Sequence, residues 1–356
     1  MRRITFVRPN MYAGRSADAM EPLCFAVLKS LTPPDLETVL YDERVEPVPY
    51  DEPTDLVAMT VETYTARRAY QIATEFRRRG VNVVMGGYHP TFVPEEALEF
   101  ADAVVEGDAE GVWEQVVADA RRGRLKRRYR RDQFPPLETL SPDRSVFAGK
   151  RYAPMTLIQY GRGCRYNCDF CSIRAFYGAS ARQRPVESVV EEIARVGRGH
   201  VVFVDDNLFV DADKTRALFE ALVPLRITWS CQITIDVVQH PDLVRLMAKS
   251  GCLTALIGFE SLAETNLTQM RKGWNLKHGG YAHALSVLRD AGIMVYGTFV
   301  LGYDHDTVDS FDATVEFAIQ NRFCLANFNP LTPTPGAPLF ERLEREQRLL
   351  HARWWL

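Results

Sequence analysis

Short apolar runs alternate with longer stretches of helical period through most of this chain. Ile4–Val7, Glu37–Tyr41, Asp55–Val61, Val81–Met85 and Ala103–Val105 have the length and residue content of strands. Between them, Ala17–Leu31, Thr65–Arg79 and Glu110–Arg122 set apolar residues three and four apart, the spacing of one helix face. Such alternation predicts a parallel sheet with helices on both faces. Ligands of these sheets bind beyond the carboxyl ends of the strands. Those ends carry Thr60, Glu62 and Thr63, then Gly86-Gly87-Tyr88-His89, then Glu106-Gly107-Asp108. The paired glycines permit a tight turn and close approach of backbone to a ligand.

The pattern lapses from Arg128 to Lys150, a basic stretch with Pro135, Pro136 and Pro142 that reads as a linker. It then resumes. Met155–Tyr160, His200–Asp205, Thr228–Ile235, Thr254–Glu260, Val295–Leu301 and Leu325–Pro330 are strand candidates. Pro185–Val196, Asp213–Leu222, Pro241–Ser250, Tyr281–Ala291 and Thr307–Asn321 are the helices between them, with Gly251 and Gly292 as stops. Six such units close only part of a barrel. The expected fold class is α/β: a Rossmann-like doubly wound parallel sheet over 1–127, a linker over 128–150 and a partial (β/α)6 barrel over 151–340. Residues 341–356 would begin a C-terminal region, and adjacent Trp354 and Trp355 need something to pack against, so a truncated C-terminus is expected.

Composition changes this picture little. At 356 residues, 46% hydrophobic and 25% charged, the chain can bury two ordinary cores. A net charge of -3 gives no reason to expect nucleic acid, and the basic run Arg121–Arg128 has no interleaved aromatics. No stretch approaches the ~20 apolar residues of a membrane span, and Ile4–Val7 is too short for a secretory core. Seven cysteines in a chain this long are no disulfide framework, which suits the reducing cytoplasm.

The candidate chemistry lies in Gly161-Arg-Gly-Cys-Arg-Tyr-Asn-Cys-Asp-Phe-Cys171. Cys164, Cys168 and Cys171 can ligate three irons of a 4Fe–4S cluster and leave the fourth open to a small molecule. A zinc site is the alternative, but it would want a fourth protein ligand from elsewhere, such as His89 or Cys231. Cys24, Cys231, Cys252 and Cys324 read as small buried residues, and His278, His283 and His305 as solvent-facing.

CxxxCxxC after a strand, followed by repeated βα units, resembles the radical S-adenosylmethionine (SAM) superfamily over about residues 151–340. The resemblance implies that SAM chelates the open iron and that one electron from the cluster cleaves it to a 5′-deoxyadenosyl radical. Phe170 matches an aromatic position near the adenine. Asp205-Asp206-Asn207 stands where the family contacts the methionyl amino group, a carboxylate being apt for an ammonium; a helix cap is the structural alternative. Glu260 and Ser261 resemble the Gly-x-Glu-Ser element near the ribose, and Gln232 would face the same mouth.

The first domain resembles the cobalamin-binding domain that precedes many of these enzymes. Arg44, Thr60, Glu62, Thr63, Gly86, Gly87, Tyr88 and Gly107 would then line the cobalamin. Cobalamin domains with a protein lower ligand carry Asp-x-His-x-x-Gly, whereas this chain has Asp42-Glu43-Arg44-Val45-Glu46-Pro47 at the corresponding place. Arg44 has no lone pair for cobalt, and the first histidine in the chain is His89, so either cobalamin binds without a protein lower ligand or the pocket is vestigial. The implied activity is a cobalamin-dependent C-methyltransferase on a small metabolite, lipid or natural-product intermediate, fed electrons by flavodoxin or ferredoxin. A radical oxidative cyclase or rearrangement enzyme and a non-catalytic iron–sulfur or zinc module are the alternatives.

Overall fold

The computed structural model describes residues 1–356 apart from Ala13, Thr139, Arg198 and His278. The chain divides into two compact units, Met1–Ala153 with Glu341–Leu356, and Pro154–Phe340.

The first unit is built on six parallel strands. In chain order its elements are β1 (Arg3–Arg8), α1 (Leu23–Ser30), β2 (Glu37–Asp42), β3 (Leu56–Thr60), α2 (Ala66–Arg78), β4 (Asn82–Gly86), α3 (Tyr88–Phe92), α4 (Pro94–Phe100), β5 (Ala103–Glu106), α5 (Trp113–Arg121) and β6 (Arg128–Arg130). The sheet order is β2-β1-β3-β4-β5-β6, so the winding reverses between β1 and β3. Strands covered on both faces are apolar throughout; Ile4, Phe6 and Val7 of β1 are wholly buried. One face of α2 buries Ala66, Ala69, Tyr70, Ile72, Ala73 and Phe76, at the spacing an amphipathic helix requires.

Three departures from the sequence pattern have local causes. Helix α1 begins at Leu23 rather than Ala17, because Pro22 stands at its N-cap and a proline disfavours helix in the residue before it. Residues 88–100, which show no clear period, form α3 and α4, the latter started by Pro94 at its first position. The first residues of the expected linker form β6, parallel to β5. Arg128-Tyr129-Arg130 is an edge strand with its ring inward: Tyr129 is buried and donates to Asp119 over 3.1 Å.

The second unit contains β7 (Met155–Ile158), β8 (Gly161–Arg162), α6 (Ser172–Tyr177), β9 (Arg182–Gln183), α7 (Val186–Val196), β10 (His200–Phe203), α8 (Ala212–Leu222), β11 (Thr228–Gln232), α9 (Pro241–Lys249), β12 (Cys252–Glu260), α10 (Glu264–Gln269), α11 (Gly280–Asp290), β13 (Met294–Leu301), α12 (Val308–Gln320) and β14 (Leu325–Pro330). A last helix, α13, spans Pro338–Arg345. The six long strands are all parallel in the order β14-β13-β12-β11-β10-β7. Each βα unit is thus laid beside the one before it, as in a barrel, and among the described residues β14 and β7 do not pair to close it. Asp211 caps α8, its carboxylate accepting from Lys214 N at 3.0 Å.

Candidate functional site

In the second unit the three cysteines occupy the loop between β8 and α6, beyond the carboxyl end of β7. None is in a disulfide; Cys168 is buried, and Cys164 and Cys171 are partly exposed. The glycines before them are packing requirements. Gly163 has φ +88°, and a Cβ there would collide with the Ser180 carbonyl in the segment between α6 and β9. We predict that Gly163→Ala costs about 2 kcal/mol or more, with fewer irons retained on reconstitution. Gly199→Ala, at a position with open space and ordinary φ, is the control; equal unfolding midpoints for the two variants would contradict this reading.

Asp205-Asp206-Asn207 follows β10 and turns back onto the cysteine loop. Asp205, 3% exposed, accepts from the backbone N–H groups of Tyr160 and Gly161. Burial pushes its carboxyl up to about 7 against those two donors. Asp206 accepts from Gly163 N at 2.7 Å. The Asn207 amide nitrogen lies 3.8 Å from Cys164 Sγ. None of the three caps α8. Asp205 thus ties the cysteine loop to the end of β10, and Gln232 donates to the Asp206 carbonyl at 3.0 Å.

Glu260 ends β12 at a register shift, with a left-handed φ of +66°. Its carboxylate takes the Lys272 ammonium at 2.6 Å, and both side chains are under a tenth exposed. Burial works to lower the Lys272 ammonium, but Glu260 and the Cys168 and Cys171 sulfurs outweigh it and hold the group above its usual value. Burial likewise pushes up the thiols of Cys164, Cys168 and Cys171, Cys168 to about 12. The ion pair lies over Gly258, where any Cβ would strike both partners. Ser261 is buried and accepts from Ala263 N at 3.1 Å. Phe170 meets Tyr303 edge-on at 6.5 Å between ring centroids.

Lys272 was not legible as a site residue, since its partner lies twelve residues back, on the far side of helix α10. The same holds for Tyr166, whose ring stacks on Trp274 at 3.7 Å while its hydroxyl donates to Asp236. The Trp274 indole N–H is buried and has no partner among the described residues. No three His, Cys, Asp or Glu side chains among those residues converge on one metal ion. A cubane does not ask them to, because each of its thiolates binds a different iron. The donor set, three free thiols beside a buried ammonium, suits an anionic iron–sulfur cluster. Of the other cysteines, Cys231 and Cys252 are buried as expected, whereas Cys24 and Cys324 are exposed. His283 and His305 are exposed and His278 lies outside the described residues.

In the first unit, Thr60, Glu62, Thr63, Gly86, Gly87, Tyr88 and Gly107 do gather at the carboxyl ends of β3, β4 and β5. Gly87 (φ +100°) is demanded by the fold itself, for a Cβ would lie 3.0 Å from Thr60 Oγ1 and from Val61 backbone. Gly107 (φ +80°) faces open space, and its N–H donates to Thr91 Oγ1 at 3.0 Å. Burial raises the Glu62 carboxyl. Arg44 is pinned by Asp42, its Nη2 2.6 Å from Oδ2, and by the Met20 carbonyl at 2.7 Å. A cleft of about 780 Å3, lined by Asn10, Glu43, Tyr64, Arg67, Arg68 and Trp355 among others, opens beside the ends of β1, β2 and β3. That is the switch point of the sheet, where open α/β folds place ligands.

His89 is wholly buried, with Tyr70 Oη at 2.9 Å from Nε2 and Thr63 Oγ1 at 3.4 Å from Nδ1. Tyr70 and Trp355 both donate to Glu96 Oε1, at 2.8 and 2.7 Å, so Trp355 has its packing partner here. Burial works to raise the Glu96 carboxyl, and hydrogen bonds from His89, Trp355 and Tyr70 outweigh it, holding the group below its ordinary 4.5. A depressed folded value stabilises fully above pH 4.5 and is lost as pH falls through it. Glu96→Gln should accordingly flatten the acid limb of the unfolding curve; equal slopes below pH 4.5 for wild type and variant would contradict it.

Comparison with known proteins gives consistent results. The sequence profile described as the Radical SAM superfamily matches residues 158–318. Bacteriochlorophyllide d C-12(1)-methyltransferase of Chlorobaculum tepidum is 34% identical over 346 residues, covering 94% of this chain and 75% of that protein. Bacteriochlorophyllide d C-8(2)-methyltransferase of the same organism is 32% identical, with 94% and 78% covered. The structure of the radical SAM methyltransferase TsrM from Kitasatospora setae, with cobalamin and a [4Fe-4S] cluster bound, superposes with a TM-score of 0.75. Its identity is 17%, with 97% of this chain and 78% of that one covered, a likeness of fold.

Proposed function

We propose that this chain, which belongs to the radical SAM superfamily, is a cobalamin-dependent C-methyltransferase acting on an unactivated carbon of a small-molecule or lipid substrate. The observation that carries the reading is the convergence of Cys164, Cys168 and Cys171 with the buried Glu260–Lys272 pair at the mouth of a parallel, barrel-like sheet. When bound, the cluster supplies the electron that cleaves SAM to a 5′-deoxyadenosyl radical, and cobalamin supplies a carrier for the methyl group.

The residues divide the remaining work. Cys164, Cys168 and Cys171 hold three irons. Lys272 offsets the negative charge of the thiolates and offers an ammonium to a carboxylate ligand. Phe170, Asp206, Gln232, Glu260 and Ser261 line the SAM side of the mouth. In the first unit, Thr60, Glu62, Thr63, Gly86, Gly87, Tyr88 and Gly107 cradle cobalamin. Arg44, held by Asp42, and His89, held by Tyr70 and Glu96, would serve as packing residues of this unit and would not donate to cobalt. The enzyme works in the cytoplasm and takes single electrons from flavodoxin or ferredoxin. No helix among the described residues is long and apolar enough to cross a membrane.

The test is anaerobically reconstituted protein given hydroxocobalamin, reductant and methyl-deuterated SAM. We expect 5′-deoxyadenosine together with S-adenosylhomocysteine and a deuterated methyl group on the corrinoid. 5′-Deoxyadenosine without any methyl transfer would favour the cyclase reading, and neither product would reduce the chain to a passive module.

A further inference from the structure

We infer that Asn207 donates an N–H···S hydrogen bond to Cys164 and thereby raises the reduction potential of the cluster. This rests on the reading of the cysteine loop as a 4Fe–4S site.

The amide has one orientation that satisfies its surroundings. Asn207 Oδ1 accepts from Phe209 N at 3.1 Å, Thr234 N at 3.1 Å and Thr234 Oγ1 at 3.2 Å. Three donors on one side fix the oxygen there, so the NH2 group is on the other. One of its hydrogens goes to the Phe209 carbonyl, 2.9 Å away. The second is directed to Cys164 Sγ, 3.8 Å away, within the reach of the larger sulfur acceptor. The side chain is 3% exposed, so water does not compete, and a buried dipole acts at low dielectric.

The consequence follows from charge. One-electron reduction places more negative charge on the cluster and its thiolates. A fixed N–H pointing at a ligating sulfur stabilises that reduced state more than the oxidised one, and hydrogen bonds to sulfur are among the levers that set such potentials. Asn207 is thus a positioning and tuning residue that acts through Cys164.

The experiment is a redox titration of the reconstituted holoenzyme, followed by the EPR signal of the reduced cluster. Asn207→Asp keeps an oxygen for Phe209 and Thr234 but removes the donor to sulfur; Asn207→Leu removes the amide altogether. Both should lower the equilibrium constant for reduction about tenfold, ~59 mV for a one-electron couple. Thr234→Val removes one donor to Oδ1 without touching the sulfur and should titrate as wild type. Unchanged midpoints in both Asn207 variants, or an equal drop in Thr234→Val, would overturn the inference. Should the Asn207 variants fail to assemble a cluster, wild-type protein carrying side-chain 15N-asparagine decides. A nitrogen hyperfine coupling to the reduced cluster supports the bond, and its absence refutes it. A wild type that takes up no four-iron cluster would sink the reading of the cysteine loop itself, a result distinct from a cluster with an indifferent potential.

Discussion

Replacing any one of Cys164, Cys168 or Cys171 with alanine should abolish formation of 5′-deoxyadenosine from SAM and cost the protein its 4Fe–4S absorbance. In the proposed site each thiol holds a different iron, so none can substitute for another. The loss should exceed the about 10–100-fold that outer partners of metal sites command. Truncation of Cys231, buried on β11 away from the loop, should leave the iron content intact. The readouts are iron and sulfide content with product quantitation. SAM cleavage surviving any of the three loop substitutions would contradict the assignment.

Lys272→Met should have the next largest effect. It leaves the Glu260 carboxylate buried without its cation, and breaking a buried pair from one side costs about 3–5 kcal/mol. That corresponds to a fall of roughly 10 °C in unfolding midpoint. Lys272→Met/Glu260→Gln, which removes both charges, should recover part of the loss, giving a coupling of more than about 1 kcal/mol in a double-mutant cycle. Strict additivity, or a single-variant loss under about 1 kcal/mol, would show the pair to be energetically idle. In the holoenzyme, Lys272→Met should also weaken SAM binding, measured by the concentration dependence of cleavage, because the ammonium nearest the cysteines is gone.

The strands were legible because buried parallel strands are short apolar runs, and Leu325–Pro330 has the bounds the pattern gave it. Helix starts and short helices were less so. Pro22 moved α1 by several residues, and α3 and α4 are too brief to show a period. Strand β6 was hidden in a basic stretch because only its central Tyr129 is buried. The cysteines could be read because their spacing is local. Asp205 and Glu260 could be read as residues but their contacts could not, since Asp205 meets Tyr160 across 45 residues and Glu260 meets Lys272 across helix α10. Asp205 illustrates the difference: its residue type suggests an ammonium partner, while its burial and its two backbone N–H donors come from residues far away in sequence.

The account stands on one iron left open by the chain. The measurement that tests this most directly is 57Fe Mössbauer spectroscopy of the oxidised, reconstituted protein before and after addition of SAM. One iron in four should acquire a distinct signal on binding, while the other three keep their thiolate parameters. Four irons that stay equivalent and indifferent to SAM would contradict it.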